Sequence, residues 1–256
     1  MLRLVKSIFY YAKNFKDYYP VEKKLDKIKK LEKYNFERHK TNDNNNLLNN
    51  LFDKGYCQEV SFFSEELMKD IISLMPKDII SKPGFNTFQI EKQIKDKIVA
   101  EIDSKIGKDL TKYLDDEPFY YRIELKKTVS DKNAPTVSSY WHYDLIGKRL
   151  KLFYFLDSSL SKITTHLIEN SHIAKKSSNY IFSRLNSYLM FIKNIFTNKI
   201  KIISPIKGTF FIFDTNLFHK GGLVNSNKSF RWTLQCDIIS RKKYDLISKY
   251  GDKIGL

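Results

Sequence analysis

Apolar and polar positions follow two regimes along the chain. From about residue 118 the apolar positions gather in short runs of aromatic and branched residues separated by turn formers. This pattern predicts strands over 119–128, 150–156, 165–168, 200–203, 209–213 and 230–239. Strands so short and numerous need a second layer to bury their apolar faces, so a mainly β sandwich or barrel with flanking helices is expected. One segment breaks the pattern. Ile181, Leu185, Tyr188, Leu189 and Ile192 recur at helical spacing, which predicts an inserted helix over 178–197.

Before residue 118 the spacing is helical in two places. Leu4, Ile8 and Tyr11, then Leu25, Ile28 and Leu31, predict two Lys-rich helices parted near Pro20. Packing of their apolar stripes on the body of the protein is the favoured reading, with peripheral contact to a membrane surface as the alternative. The polar run Thr41-Asn42-Asp43-Asn44-Asn45-Asn46 has no periodicity and reads as a linker, so 1–46 form a basic extension and 47–256 the main domain. Residues 47–60 lead through a Lys54-Gly55 turn into a short strand. Ser64 is placed to cap a helix beginning at Glu65 and Glu66 and reaching about Met75.

Composition narrows the class. Forty-two per cent hydrophobic and 14% aromatic residues suffice for a packed core. Forty-five basic residues against 29 acidic ones give a net charge of +16, a field that attracts nucleic acid, anionic membranes or anionic small molecules. The lysines are dispersed and accompany many Asn, Ile, Tyr and Phe residues, as AT-rich codon usage would produce, and no basic helix or zinc-finger spacing occurs. Specific nucleic-acid binding is therefore not expected. Cys57 and Cys236 form neither a CxxC pair nor a disulfide framework. With no signal-peptide core and no run of about 18 apolar residues, a cytoplasmic protein is expected.

The chemistry lies in three places. Trp141-His142-Tyr143-Asp144 sets a His and an Asp two apart, so that on an extended chain both project from one face. Gly208-Thr209-Phe210-Phe211-Ile212-Phe213-Asp214 reads as a strand leading to His219-Lys220-Gly221-Gly222, which offers a second imidazole. Two His and one carboxylate are the donor set that holds iron(II) while leaving coordination positions open. Arg231 follows twelve residues after His219; if their strands are hairpin neighbours, its guanidinium reaches the same cavity and presents a fork to a carboxylate. Among the other histidines, His172 is expected to bond backbone near the site, His166 to lie at the surface, and His39 to be solvated.

These motifs, with Glu169-Asn170-Ser171-His172 between them and with Leu51-Phe52-Asp53-Lys54-Gly55-Tyr56 and Phe62-Phe63-Ser64-Glu65-Glu66-Leu67 upstream, resemble the phytanoyl-CoA dioxygenase family of iron(II)- and 2-oxoglutarate-dependent oxygenases over roughly residues 47–240. The resemblance implies a double-stranded β-helix, the cupin-like jelly roll. It also implies Fe(II) on His142, Asp144 and His219, 2-oxoglutarate on Arg231, and dioxygen as oxidant for hydroxylating a small-molecule or lipid-like substrate. Two positions depart from the family pattern. A hydroxyl residue often found two after the distal His is Gly221 here, with Thr233 as the candidate replacement, and Pro-Gly-Ser-His reads Glu169-Asn170-Ser171-His172. In related halogenases a small residue replaces the carboxylate; Asp144 therefore favours hydroxylation. The alternatives are an inactive jelly-roll binding protein and a cupin-type metal-dependent hydrolase or isomerase. Arg122, Arg149 and Lys220 are candidates to meet an anionic group such as a phosphate, carboxylate or CoA, with plain solvated charges as the equal alternative.

Overall fold

The computed structural model describes residues 46–76, 84–129, 137–139, 141–144, 148–159, 163–172, 200–222 and 229–250. The expected N-terminal helices, His39 and the inserted helix at 178–197 lie outside these residues. Among the described residues the elements run α1 (Asn46–Asp53), β1 (Tyr56–Val60), α2 (Glu65–Ser73), β2 (Gly84–Gln89), α3 (Lys92–Leu114) and β3 (Pro118–Val129). They continue through a 3-10 turn (Val137–Ser139), β4 (Leu150–Ser158), β5 (Thr165–Ile168), β6 (Ile200–Ile203), β7 (Thr209–Asp214), β8 (His219–Gly221), β9 (Phe230–Ser240) and α4 (Arg241–Tyr250). A six-stranded sheet, ordered β1-β7-β4-β9-β3-β2, faces a three-stranded one, ordered β6-β5-β8, and every pairing is antiparallel. This is the expected jelly roll.

The large sheet is covered on both faces, and the alternation of its side chains shows it. On β7, Phe210 and Ile212 pack outward with Leu152, Tyr154, Leu234, Cys236 and Ile238 against the helices, whereas Phe211 and Phe213 point inward with Phe153, Phe155 and Leu167. A strand buried on both sides reads as a continuous apolar run, which is why 209–213 was so conspicuous. Two strands along, beyond β4, β9 has the same apolar outer face but carries Arg231, Thr233, Gln235 and Asp237 at the alternate, inward positions, all four buried. Polar residues at alternate positions of a buried strand demand partners inside the molecule.

The helical layer differs most from expectation. No element was predicted over 92–114, yet α3 runs 23 residues there and buries Ile98, Ile102, Ile106 and Leu110 against the outer face of the sheet. Its apolar residues form a narrow stripe at strict four-residue spacing, so the segment reads as polar until the sheet supplies a surface for it. The α2 prediction holds: Ser64 accepts from Leu67 N at 3.3 Å, and Glu65 and Glu66 occupy the first turn. Cys57 and Cys236 are both buried and unbridged, and burial raises both thiols, Cys57 to about 11. No described helix is long and apolar enough to cross a membrane.

Gly55 closes the α1–β1 turn at φ +83°, where a Cβ would come within 2.6 Å of the His172 ring and 2.8 Å of Leu217. Gly55→Ala combines left-handed strain with overpacking and is expected to cost about 2 kcal/mol, lowering the melting temperature by roughly 4–8 °C. Gly107→Ala, inside α3 with only the Asp103 side chain nearby, should leave it unchanged or slightly raised. Parallel thermal melts check both.

Candidate functional site

Two short extended segments create the site. His142 and His219 exchange both backbone hydrogen bonds, at 2.9 and 2.7 Å, forming an isolated antiparallel bridge. Two residues on, Asp144 N donates to Thr215 O at 2.9 Å, and Thr215 N to Arg149 O at 2.9 Å. The expected strand around His142 is thus one bridge pair and an extended tail, which is enough to aim both side chains the same way. On the other side the chain turns at Asp214. Its carboxylate accepts from Tyr113 OH of α3 at 2.6 Å, from Asn216 N at 2.7 Å and from Asn216 Nδ2 at 2.9 Å, and so fixes the loop into β8. Ser171 completes the support: its Oγ donates to Ile168 O at 2.7 Å and accepts from Phe218 N at 2.8 Å, next to His219.

The structure brings together one ligand atom each from His142, Asp144 and His219, all within 4.8 Å of one another. The His rings lie 4.3 Å apart. His219 Nδ1 sits 2.8 Å from Leu217 O, and since a carbonyl only accepts, Nδ1 carries the proton and Nε2 keeps its lone pair for a metal. Burial first, then the neighbouring His142, pushes His219 well below its usual range, so it is neutral. Burial opposes ionisation of Asp144, but Lys151 and Arg149 override it and hold the carboxyl well below its ordinary range.

Those two cations meet the same oxygen. Arg149 Nη2 pairs with Asp144 Oδ2, and Lys151 Nζ lies 3.2 Å from it. Asp144 Oδ1 instead faces His142 Nε2, at 3.8 Å. Arg149 is itself held by Tyr121 OH at 2.8 Å and Thr215 Oγ1 at 3.3 Å. Expected as a substrate-facing cation, Arg149 is instead buried behind Asp144 and engaged with it. Spacing gave no sign of this, because the contact depends on how β4 packs beside the 141–144 segment.

Arg231 reaches the same cavity, but by another route than the hairpin expected. β8, with His219, pairs with β5 in the small sheet, whereas β9 lies between β4 and β3 in the large one. The two strands face each other across the cavity. A cavity of about 230 Å³ is lined by His142, His219, Lys151, Phe153, Thr165 and Arg231, among others. Arg231 Nη1 donates to Ile163 O at 2.9 Å and Thr165 Oγ1 at 3.0 Å, while its buried Nε has no partner. Burial lowers its pKa to about 10, so it stays charged at neutral pH. A buried cation that, among the described residues, has no carboxylate partner and an orphaned donor is suited to receive an anion.

Thr233 lines the cavity, yet its hydroxyl makes only a long bond, 3.4 Å, to Lys126 O. The hydroxyl beside Arg231 belongs to Thr165, which the sequence reading passed over. In the β5–β8 register Thr165 lies opposite Gly221, where the family's hydroxyl residue was sought. Gly221 has little room for a side chain, since a Cβ there would sit 3.3 Å from Ser138 O. His172 Nε2 bonds Phe52 O at 3.2 Å, the backbone role expected of it. His166 is half-buried rather than at the surface, bonded to Thr164 Oγ1 at 2.8 Å and edge-on to Trp141, and burial pulls it down to about 4.

No family model matches the sequence, and no curated protein matches it. Solved structures do match in fold. The non-heme alpha-ketoglutarate-dependent carbocyclase SnoK from nogalamycin biosynthesis superposes with a TM-score of 0.56 at 9% identity, covering 78% of this chain and 85% of its own. EctD from S. alaskensis, with bound Fe, gives 0.53 at 13% identity over 77% and 76%. HygX from Streptomyces hygroscopicus, with nickel and 2-oxoglutarate bound, gives 0.51 at 11% over 76% and 86%. At these identities the likeness is one of fold, and it identifies the chain as a double-stranded β-helix of the kind these enzymes share.

Proposed function

We propose that this chain is an Fe(II)- and 2-oxoglutarate-dependent dioxygenase that hydroxylates an unactivated C–H bond of a small-molecule substrate, releasing succinate and carbon dioxide. One observation carries the reading: the two imidazoles of a His-Asp-His cluster line the same cavity as a buried arginine whose Nε, among the described residues, has no partner. Two imidazoles and one carboxylate suit iron(II) and leave positions for a co-substrate and dioxygen. The structures of like fold described as alpha-ketoglutarate-dependent, or holding iron or nickel with 2-oxoglutarate, support it. The motif resemblance to the phytanoyl-CoA dioxygenase family supports it too, although no feature of the cavity selects an acyl-CoA.

The residues present fit the groups the reading requires. His142, Asp144 and His219 would hold the metal, with Asp144 binding through Oδ1 because Arg149 and Lys151 engage Oδ2. Arg231 would pair with the distal carboxylate of 2-oxoglutarate, and Thr165, whose oxygen already accepts from Arg231, would donate its own proton to the same group. Iron(II) and 2-oxoglutarate, when bound, supply oxidation of a C–H bond by dioxygen coupled to decarboxylation of the co-substrate. The protein orients both carboxylates and keeps water from the far end of the cavity with Phe153, Phe155 and Phe213. A cupin-type hydrolase or isomerase, or an inactive binding protein, has no need of an arginine buried without a carboxylate. The carboxylate at Asp144 favours hydroxylation over halogenation, which needs that position vacated.

Anaerobic addition of Fe(II) and 2-oxoglutarate should give a weak visible charge-transfer band. His142→Ala or Asp144→Ala should abolish it together with substrate-stimulated succinate formation, and full activity in either variant rejects the assignment. Arg231→Met should raise the Kd for 2-oxoglutarate about 100-fold, the loss of a charge-assisted pair, while Co(II) affinity stays within threefold. Equal loss of both would make Arg231 part of the scaffold. Arg149→Met should weaken Co(II) binding about tenfold, as removal of a ligand's supporting contact does, with Arg149→Lys partly restoring it; unchanged titrations would show that Asp144 needs no support.

A further inference from the structure

The metal cluster and Arg231 account for two sides of the cavity. A third side is built from the inward face of β3, the adjoining stretch of β9 and the start of β2, and nothing in the proposed reaction uses it. On β3 the inward residues are Arg122, Glu124 and Lys126, which lie opposite Asp237, Gln235 and Thr233 of β9. An inner sheet face that meets apolar residues elsewhere in this molecule is here made of charges.

The pairing within this wall is incomplete in charge. Arg122 Nε donates to Asp237 Oδ2 at 2.6 Å and lies 3.9 Å from Glu124. Lys126 Nζ donates to the neutral Gln235 Oε1 at 2.9 Å, and its nearest carboxylate is the same Glu124, at 3.6 Å. Lys151 and Arg149 share Asp144. Four cations therefore draw on three carboxylates, and Asp144 is also the metal ligand of the proposed function. A divalent metal and a doubly charged 2-oxo acid cancel one another, and Arg231 and Lys220, which line the same cavity, contribute two further positive charges. The described residues of the loaded site thus keep an excess of three positive charges. Burial destabilises the Lys126 ammonium, Glu124 offsets part of this, and the nearby Arg122 and Lys151 add to the destabilisation. An ionic lattice that merely propped the wall would be balanced; among the described residues this one is short of carboxylates. Beside Lys126, 5.7 Å from its ammonium, the ring of Phe85 is 48% exposed and lines the same cavity.

We propose that this wall is the substrate subsite, and that the substrate carries an anionic group, a carboxylate or a phosphate ester, which Lys126 binds while Phe85 packs on the adjoining carbon body. The inference rests on the oxygenase reading for the identity of the site, and it names the class of molecule that reading leaves open. Arg122 lines the same cavity but is engaged by Asp237, with Glu124 nearby. Lys126 is the contact that selects the anion.

The test uses the full chain loaded with Zn(II), which does not turn over, and 2-oxoglutarate. It is titrated calorimetrically at low ionic strength with phenyl phosphate, benzoate and benzamide. At least one anion should bind ten times or more tighter than the neutral amide, and which anion does so separates the phosphate from the carboxylate. Lys126→Met and Lys126→Gln should remove the preference and Lys126→Arg should restore it, with the Kd for 2-oxoglutarate within twofold of the parent throughout. Lys201→Met, at an exposed position on β6, should change nothing. Equal binding of benzamide and both anions overturns the proposal. So does a preference that survives both Lys126 variants, or one that Lys201→Met removes as fully. Failure of the parent protein to bind 2-oxoglutarate with metal counts instead against the oxygenase reading. The Lys126 dependence, repeated on metal-free protein, then still decides the anion subsite.

Discussion

The central strands of the large sheet, β7, β4 and β9, are buried on both faces, and most of what this molecule can do follows from that constraint. Its outer face must satisfy helices, so β7, β4 and β9 present Phe210, Ile212, Leu152, Leu234, Cys236 and Ile238 there. The inner face is then the place where polar groups can be gathered out of water, and each group placed there must find a partner or a ligand. The strands divide that duty. β7 and the end of β4 remain apolar and give Phe153, Phe211 and Phe213, while β3 and β9 carry the charges.

Charge inside such a space is expensive, and its arrangement is informative. Asp144 remains ionised because Arg149 and Lys151 outweigh the cost of burying it, and His219 remains neutral because burial outweighs its attraction to Asp144. Together these leave an anionic oxygen and an imidazole lone pair directed at one point, which suits a metal cation. Arg231 is the opposite case, a buried cation whose visible partners are a carbonyl and a hydroxyl. Its lowered pKa reflects burial, with no carboxylate among the described residues to offset it, and an incoming carboxylate would relieve that cost.

The supporting contacts explain why the resemblance to a known motif tolerates departures. Ser171 bonds both Ile168 O and Phe218 N, so the Ser of the altered Glu169-Asn170-Ser171-His172 motif still steadies the strand that bears His219. Gly221 carries no hydroxyl, but on the adjacent strand Thr165 lies at the register position opposite and accepts from Arg231. Two strands whose side chains open onto the same volume can each place a hydroxyl there. A motif read along a single strand does not reveal which of them does.

Much of the fold was determined by the sequence itself. Strand positions follow from alternation and from β-branched and aromatic runs, and the Ser64 cap from its flanking residues; both are local properties of the chain. The candidate ligands, His142, Asp144 and His219, were likewise readable, because two His and a carboxylate limit the chemistry wherever they meet. Only the tertiary structure decided that they do meet, through the His142–His219 bridge and the Asp144–Thr215 bond between segments far apart in sequence. It also decided that β9 faces β8 across the cavity instead of pairing with it, that Arg149 turns to Asp144, and that Thr165 rather than Thr233 stands beside Arg231. Each of these depends on which strands become neighbours and in what register. That choice is made by the burial of whole faces, and no stretch of sequence carries it alone.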